Sequence, residues 1–226
     1  MHRYTFNNSD EPGIVINLMN GGCWDRPMDA YIETVDPATG QPDPQGKALR
    51  GYRFSRGWAD DQKIYFYAEF SHPFKSLDII KADVQIWQDE FKEMSAYAHA
   101  HFDANEQILM KVSLSPVSME GAYGNMQQEL TGWDFEAVAK AADKLWNDEL
   151  GKIRIETKDE TARTIFYTAL YHSMIAPSEF CDVDGKTYTT FSLWDTYRAA
   201  MPLYSIFQTE RYKDFINTML DIYDRQ

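Results

Sequence analysis

The hydrophobic period of this chain changes once, from two to 3.6, and no single layer of secondary structure can satisfy both. Up to about residue 117 apolar side chains alternate. In "IYFYAEFS" Ile64, Phe66, Ala68 and Phe70 share one face and Tyr65, Tyr67, Glu69 and Ser71 the other, and "QILMKVSL" repeats the pattern with Ile108, Met110, Val112 and Leu114. Such alternation is that of antiparallel strands with one face on a core. "DANE" at 103–106 supplies a hairpin turn, and the proline- and glycine-rich stretch 36–47 is expected as a surface loop.

After residue 130 the spacing is helical. Phe135, Val138, Ala142, Leu145 and Trp146 form a stripe from about Asp134 to Leu150, with Gly151 placed to end the helix. Thr157 and Glu160 have capping-box spacing ahead of Ala162, Ile165, Phe166, Ala169 and Leu170, and Pro177 sets a limit. A last stripe, Tyr212, Phe215, Ile216, Met219, Leu220 and Tyr223, runs to the final turn with no closing signal. The opening "HRYTF" is already a strand pattern, so both ends are expected to lie inside a larger architecture.

Composition narrows the partners. With 35 acidic and 22 basic residues the formal charge is −13, which repels phosphate backbones and anionic headgroups, so nucleic acid is not an expected partner. No apolar run approaches the roughly 20 residues of a membrane span, so no membrane insertion is expected. Cys23 and Cys181 are far apart, with no metal-type spacing around either.

One stretch is unusual chemically. "FSLWDTYRAAMPLYSIF" (191–207) sets Trp194, Asp195, Tyr197 and Arg198 among apolar residues. Charges in such company need partners, so the cluster is either an internal ion pair or the lining of a polar pocket. A helix-start aspartate with a nearby arginine is the plain structural alternative. "DVDGK" (182–186) lacks the further ligands of a calcium loop and is expected as a tight turn. His99 and His101 share a strand face without an identifiable third ligand, and "RGWADDQ" (56–62) carries two adjacent acids beside Trp58 with no assigned chemistry.

Four blocks in order, "GYRFSRGWADDQKIYFYAEFSHPF" (51–74), "KVSLSPVSMEGAYGNMQQEL" (111–130), "FYTALYHSMIAPSEFCDVDGKTY" (166–188) and "FSLWDTYRAAMPL" (191–203), resemble glycoside hydrolase family 92, the calcium-dependent exo-acting α-mannosidases. The resemblance implies an α+β multidomain fold. Its parts are the C-terminal part of an antiparallel β-sandwich at 1–117, a helical connector at 118–155, and at 156–226 the first helices of an incomplete (α/α)6 barrel. It further implies inverting hydrolysis of terminal α-mannosyl residues of glycans, calcium as cofactor, a mannose-containing glycan as partner, and a periplasmic, secreted or cell-surface location. The acid, the base and most calcium ligands of the family belong to a later barrel segment, so no catalytic or metal residue is assigned here. Trp194 and Asp195 are implied in the terminal mannose subsite, with Arg198 orienting a carboxylate. A carbohydrate-binding β-sandwich with a helical appendage, or an adaptor whose aromatics are core, are the competing classes.

Overall fold

The computed structural model describes residues 1–7, 11–21, 25–103, 107–190 and 192–225. The chain divides into two compact units, Met1–Phe135 and Glu136–Gln226.

The first unit holds β1 (His2–Thr5), β2 (Gly13–Asn17), β3 (Arg26–Val35), β4 (Ala48–Arg56), β5 (Gln62–Phe70), β6 (Ser76–Trp87), β7 (Glu90–His101), β8 (Gln107–Ser115) and α1 (Met119–Glu129). The strands form two antiparallel sheets, ordered β1-β8-β5-β4-β3 and β2-β7-β6. Their inner faces make one core: Ile32, Leu49, Phe66, Ala68, Phe70, Ile108 and Met110 from the larger sheet meet Ile14, Met94, Ala98 and Ala100 from the smaller. The alternation read in the sequence is thus a sandwich, and the strands stop at Ser115, just before Pro116. The turn expected at "DANE" falls on 104–106, which lie outside the described residues.

The outer face of the larger sheet departs from the one-sided pattern. Helix α1 lies on it, and Val35, Ala48, Tyr67, Ala122 and Met126 form a second core beneath the helix. Ser118 caps α1 by accepting from the Gly121 amide at 2.9 Å, which supplies one of the partners a helix start lacks. Burying Tyr67 and Glu69 requires partners for their polar ends. The Tyr67 hydroxyl donates to Glu69 Oε1 at 3.0 Å, Glu69 Oε2 meets Lys111 Nζ at 2.7 Å, and Lys111 donates to the Leu130 carbonyl at 3.1 Å beneath the Trp133 ring. Burial and the Glu69 carboxylate drive the Tyr67 pKa upward, so this hydroxyl keeps its proton as a donor. The loop 36–47 is pinned to the same face. Tyr123 donates to the Ala38 carbonyl, and its ring lies against Gly40, whose φ of 67° and lack of a Cβ both suit the contact.

The second unit holds nearly all of α2 (Phe135–Leu150), with α3 (Glu160–Ser173), α4 (Leu193–Thr196), α5 (Ala200–Phe207) and α6 (Thr209–Asp224). Helix α3 is capped otherwise than the capping-box spacing suggests. Asp159 Oδ1 accepts from the Thr161 and Ala162 amides, whereas Thr157 accepts from the Asp159 amide and Glu160 turns to Arg163. A carboxylate one residue before the first turn reaches those amides, and it outcompetes a hydroxyl two residues further back. The core of this unit is Tyr188, Met201, Tyr204 and Phe215. Only part of each predicted stripe is covered: Leu145, Ile165, Ile216, Leu220 and Tyr223 are exposed.

The buried pair gives the first expectation. Lys111→Met leaves the Glu69 carboxylate uncompensated and lowers unfolding free energy by about 3–5 kcal/mol, and adding Glu69→Leu recovers most of the loss. Urea denaturation of the single and double variants reads both values.

Candidate functional site

The sequence-nominated residues share one turn. Helix α4 is short, and its start is closed by backbone and hydroxyl contacts: the Asp195 amide bonds to the Ser192 carbonyl at 3.2 Å, and Thr196 Oγ1 donates to the same oxygen at 3.1 Å. The turn turns its side chains outward. Trp194 is 84% exposed and Asp195 and Arg198 are also exposed. Arg198 is not paired with Asp195 among the described residues. Its Nε donates to the Tyr197 hydroxyl at 2.8 Å, and its guanidinium stands 5.5 Å from the centre of the Tyr197 ring. An ion pair at the helix start therefore does not account for Asp195, and its carboxylate stays available as an acceptor. Phe191 lies outside the described residues.

A second polar constellation in this unit was not nominated from sequence. Glu149 Oε2 accepts from Lys152 Nζ at 2.6 Å and from Gln208 Nε2 at 2.7 Å, with Arg211 Nη1 at 3.4 Å. Partial burial alone pushes the Glu149 carboxyl upward. The hydrogen bonds from Lys152 and Gln208, with the charge of Arg211, outweigh that and hold its pKa below the ordinary glutamate value. Gln208 and Arg211 also line a cleft of about 100 Å³ with Met174, Pro177, Glu179, Tyr188 and Tyr204. Trp194, Asp195 and Arg198 do not line it. Glu149 and Gln208 are 59 residues apart in sequence, so no local motif announces the cluster.

Among the described residues no three His, Cys, Asp or Glu side chains are placed to hold a cation. The His99 and His101 rings lie tilted by 40° with centres 3.8 Å apart, and His101 pairs with Asp78. "DVDGK" is a turn closed by the Gly185 amide on the Asp182 carbonyl at 2.8 Å. No helix among the described residues is long and apolar enough to cross a membrane.

A two-sheet unit followed by a helical one is the order of a glycoside hydrolase in which a β-sandwich precedes a catalytic helical barrel. Residues 1–115 match the family described as Glycosyl hydrolase family 92 N-terminal domain, and residues 121–226 match the Glycosyl hydrolase family 92 catalytic domain. The chain belongs to glycosyl hydrolase family 92 and carries part of its sandwich and the start of its barrel. It is 29% identical to a family 92 α-mannosidase from Bacteroides thetaiotaomicron, with a TM-score of 0.83, over 99% of this chain and 32% of that one. A second structure of that enzyme holds mannoimidazole. A family 92 inverting mannosidase from the same organism shares the fold at 23% identity and a TM-score of 0.70, over 89% of this chain and 28% of that one. An uncharacterized secreted glycosidase of Arthroderma benhamiae is 34% identical over 79 residues, 33% of this chain and 10% of that protein. The chain thus spans about a third of the solved structures it matches.

The lowered Glu149 pKa carries a sign. A depressed folded-state pKa means that the contribution is fully present above the unfolded glutamate range and is lost as pH falls through the folded value. The stability difference between the wild type and Glu149→Gln is therefore expected to be largest near neutral pH and to shrink towards pH 3. Melting curves of both proteins across that range measure it.

Proposed function

We propose that this chain is the sandwich-to-barrel segment of an inverting, calcium-dependent exo-α-mannosidase that removes terminal α-mannosyl residues from glycans outside the cytoplasm. The observation that carries the reading is the 99% coverage of the chain by a structure of an α-mannosidase, at 29% identity. The exposed turn at 193–198 supports it chemically. An indole face packs on the apolar C–H patch of a pyranose, and an acceptor-only carboxylate beside it suits a vicinal diol. Trp194 is the stacking surface in this reading and Asp195 the hydroxyl acceptor. Arg198, held by Tyr197, is the donor that orients a carboxylate. The secreted description of the Arthroderma benhamiae relative favours the extracytoplasmic location.

Inverting hydrolysis needs an acid on the leaving oxygen and a base about 6.5–9.5 Å away that activates water. In this reading both belong, with most calcium ligands, to parts of the enzyme that these 226 residues do not span. The described side chains contain no cluster that fits the metal.

The isolated chain is expected to show no turnover of an aryl α-mannoside, with or without calcium, because binding alone does not replace proton transfer. Release of the aryl group by the purified chain, free of host enzymes, would contradict this. In a full-length enzyme, Asp195→Ala removes charge-assisted hydrogen bonds of about 1.5–3 kcal/mol each and lowers kcat/KM about tenfold or more per bond, with little change in melting temperature. A lowered melting temperature with unchanged kcat/KM would return Asp195 to a structural role.

A further inference from the structure

The stretch "RGWADDQ" is the tip of the β4–β5 hairpin, and its position in the sandwich gives it a chemistry. Trp58 is 86% exposed there. At the tip of the β6–β7 hairpin, Trp87 is 49% and Phe91 61% exposed. Two large rings are thus presented to solvent at short turns. One residue ties the two tips together. Arg56 donates through Nε and Nη2 to Asp60 Oδ1, at 3.1 and 2.9 Å, and its guanidinium stands 5.1 Å from the centre of the Trp87 ring. A cation fixed by a carboxylate restrains the indole it covers, so this aromatic surface is organised before any ligand arrives.

We propose that the two tips form a carbohydrate-binding surface for a neutral glycan, with Trp58 and Trp87 as stacking rings and Asp60 and Asp61 as hydroxyl acceptors. Three features select this ligand class. Exposed indole faces match the C–H faces of pyranoses, while the polar rims of the same sugars need acceptors within reach. Asp60 and Asp61 are anchored by Arg56 and Lys63 yet remain mostly solvent-facing, and an ionised carboxyl keeps further lone pairs after one such contact. The acidic turn on a chain of net charge −13 disfavours nucleic acids, sulfated glycans and anionic membranes. A hydrophobic protein partner would meet indoles ringed by charge, which costs desolvation without pairing. The proposal goes beyond the mannosidase reading and involves none of the residues assigned there.

The test is a titration of the 226-residue chain with α-1,2-mannobiose, cellobiose and lactose, following the indole N–H signals by two-dimensional NMR. Saturable shifts of the Trp58 and Trp87 signals are expected with at least one disaccharide. Trp58→Ala and Trp87→Ala each weaken that affinity about tenfold or more, and Arg56→Met weakens it several-fold. Melting temperatures of the Trp58 and Arg56 variants close to wild type keep the loss attributable to binding. Absence of shifts with all three sugars overturns the proposal, as do shifts confined to Trp194, affinity unchanged in both Trp58→Ala and Trp87→Ala, or tighter binding of a sulfated disaccharide. Loss of mannosidase activity in a full-length Asp195 variant with these titrations unchanged would separate the two sites.

Discussion

Strand β5 is buried on both sides at once, which a strand of alternating composition does not ordinarily permit. Its apolar side, Phe66, Ala68 and Phe70, meets the smaller sheet, while Tyr67 and Glu69 on the other side lie under α1 and its neighbours. The second burial is affordable only because the polar groups are chained: phenol to carboxylate, carboxylate to ammonium, ammonium to the carbonyl that ends the helix. Each link removes a desolvation cost that would otherwise stand alone. The position of α1, and with it the anchoring of loop 36–47, depends on that chain of contacts.

The period-two pattern made the sandwich legible because it reports one buried face, and the inner faces of β5 and β8 followed it. What the pattern cannot report is a second cover. Tyr67 and Glu69 have the look of a solvent-facing pair, and their partners Lys111 and Leu130 lie far along the chain. The spans of α2, α3 and α6 were legible from spacing, yet the start of α3 turned on Asp159, whose side chain takes the Thr161 and Ala162 amides while Thr157 takes the amide of Asp159 itself. The apolar stripes of α2 and α6 were also legible, but a stripe says that a face seeks cover and not whether these residues supply it.

For the site, the nominated residues sit together because they are neighbours in sequence, so the turn at 193–198 was legible as a unit. The partnership inside it was not. Proximity suggested Asp195 with Arg198, whereas backbone geometry hands Arg198 to Tyr197 and leaves the carboxylate outward. The Glu149, Lys152, Gln208 and Arg211 cluster was beyond reach for the opposite reason. Only the packing of separate helices assembles it, and its residue types are ordinary for exposed helix faces.

The central strand of the smaller sheet has a further consequence. On its inner side β7 presents Ala98 and Ala100, both essentially without solvent contact, where longer side chains are usual in a sandwich core. Methyl groups there let the bulk come from the facing sheet, from Phe66, Phe70 and Met110, so the interlocking at these two positions is one-sided. A one-sided fit makes the two sheets unequal in their tolerance of sequence drift. The larger sheet can exchange one bulky apolar residue for another and re-settle, but the alanine row has no slack to trade, and any added branch there acts as a wedge driven between the layers.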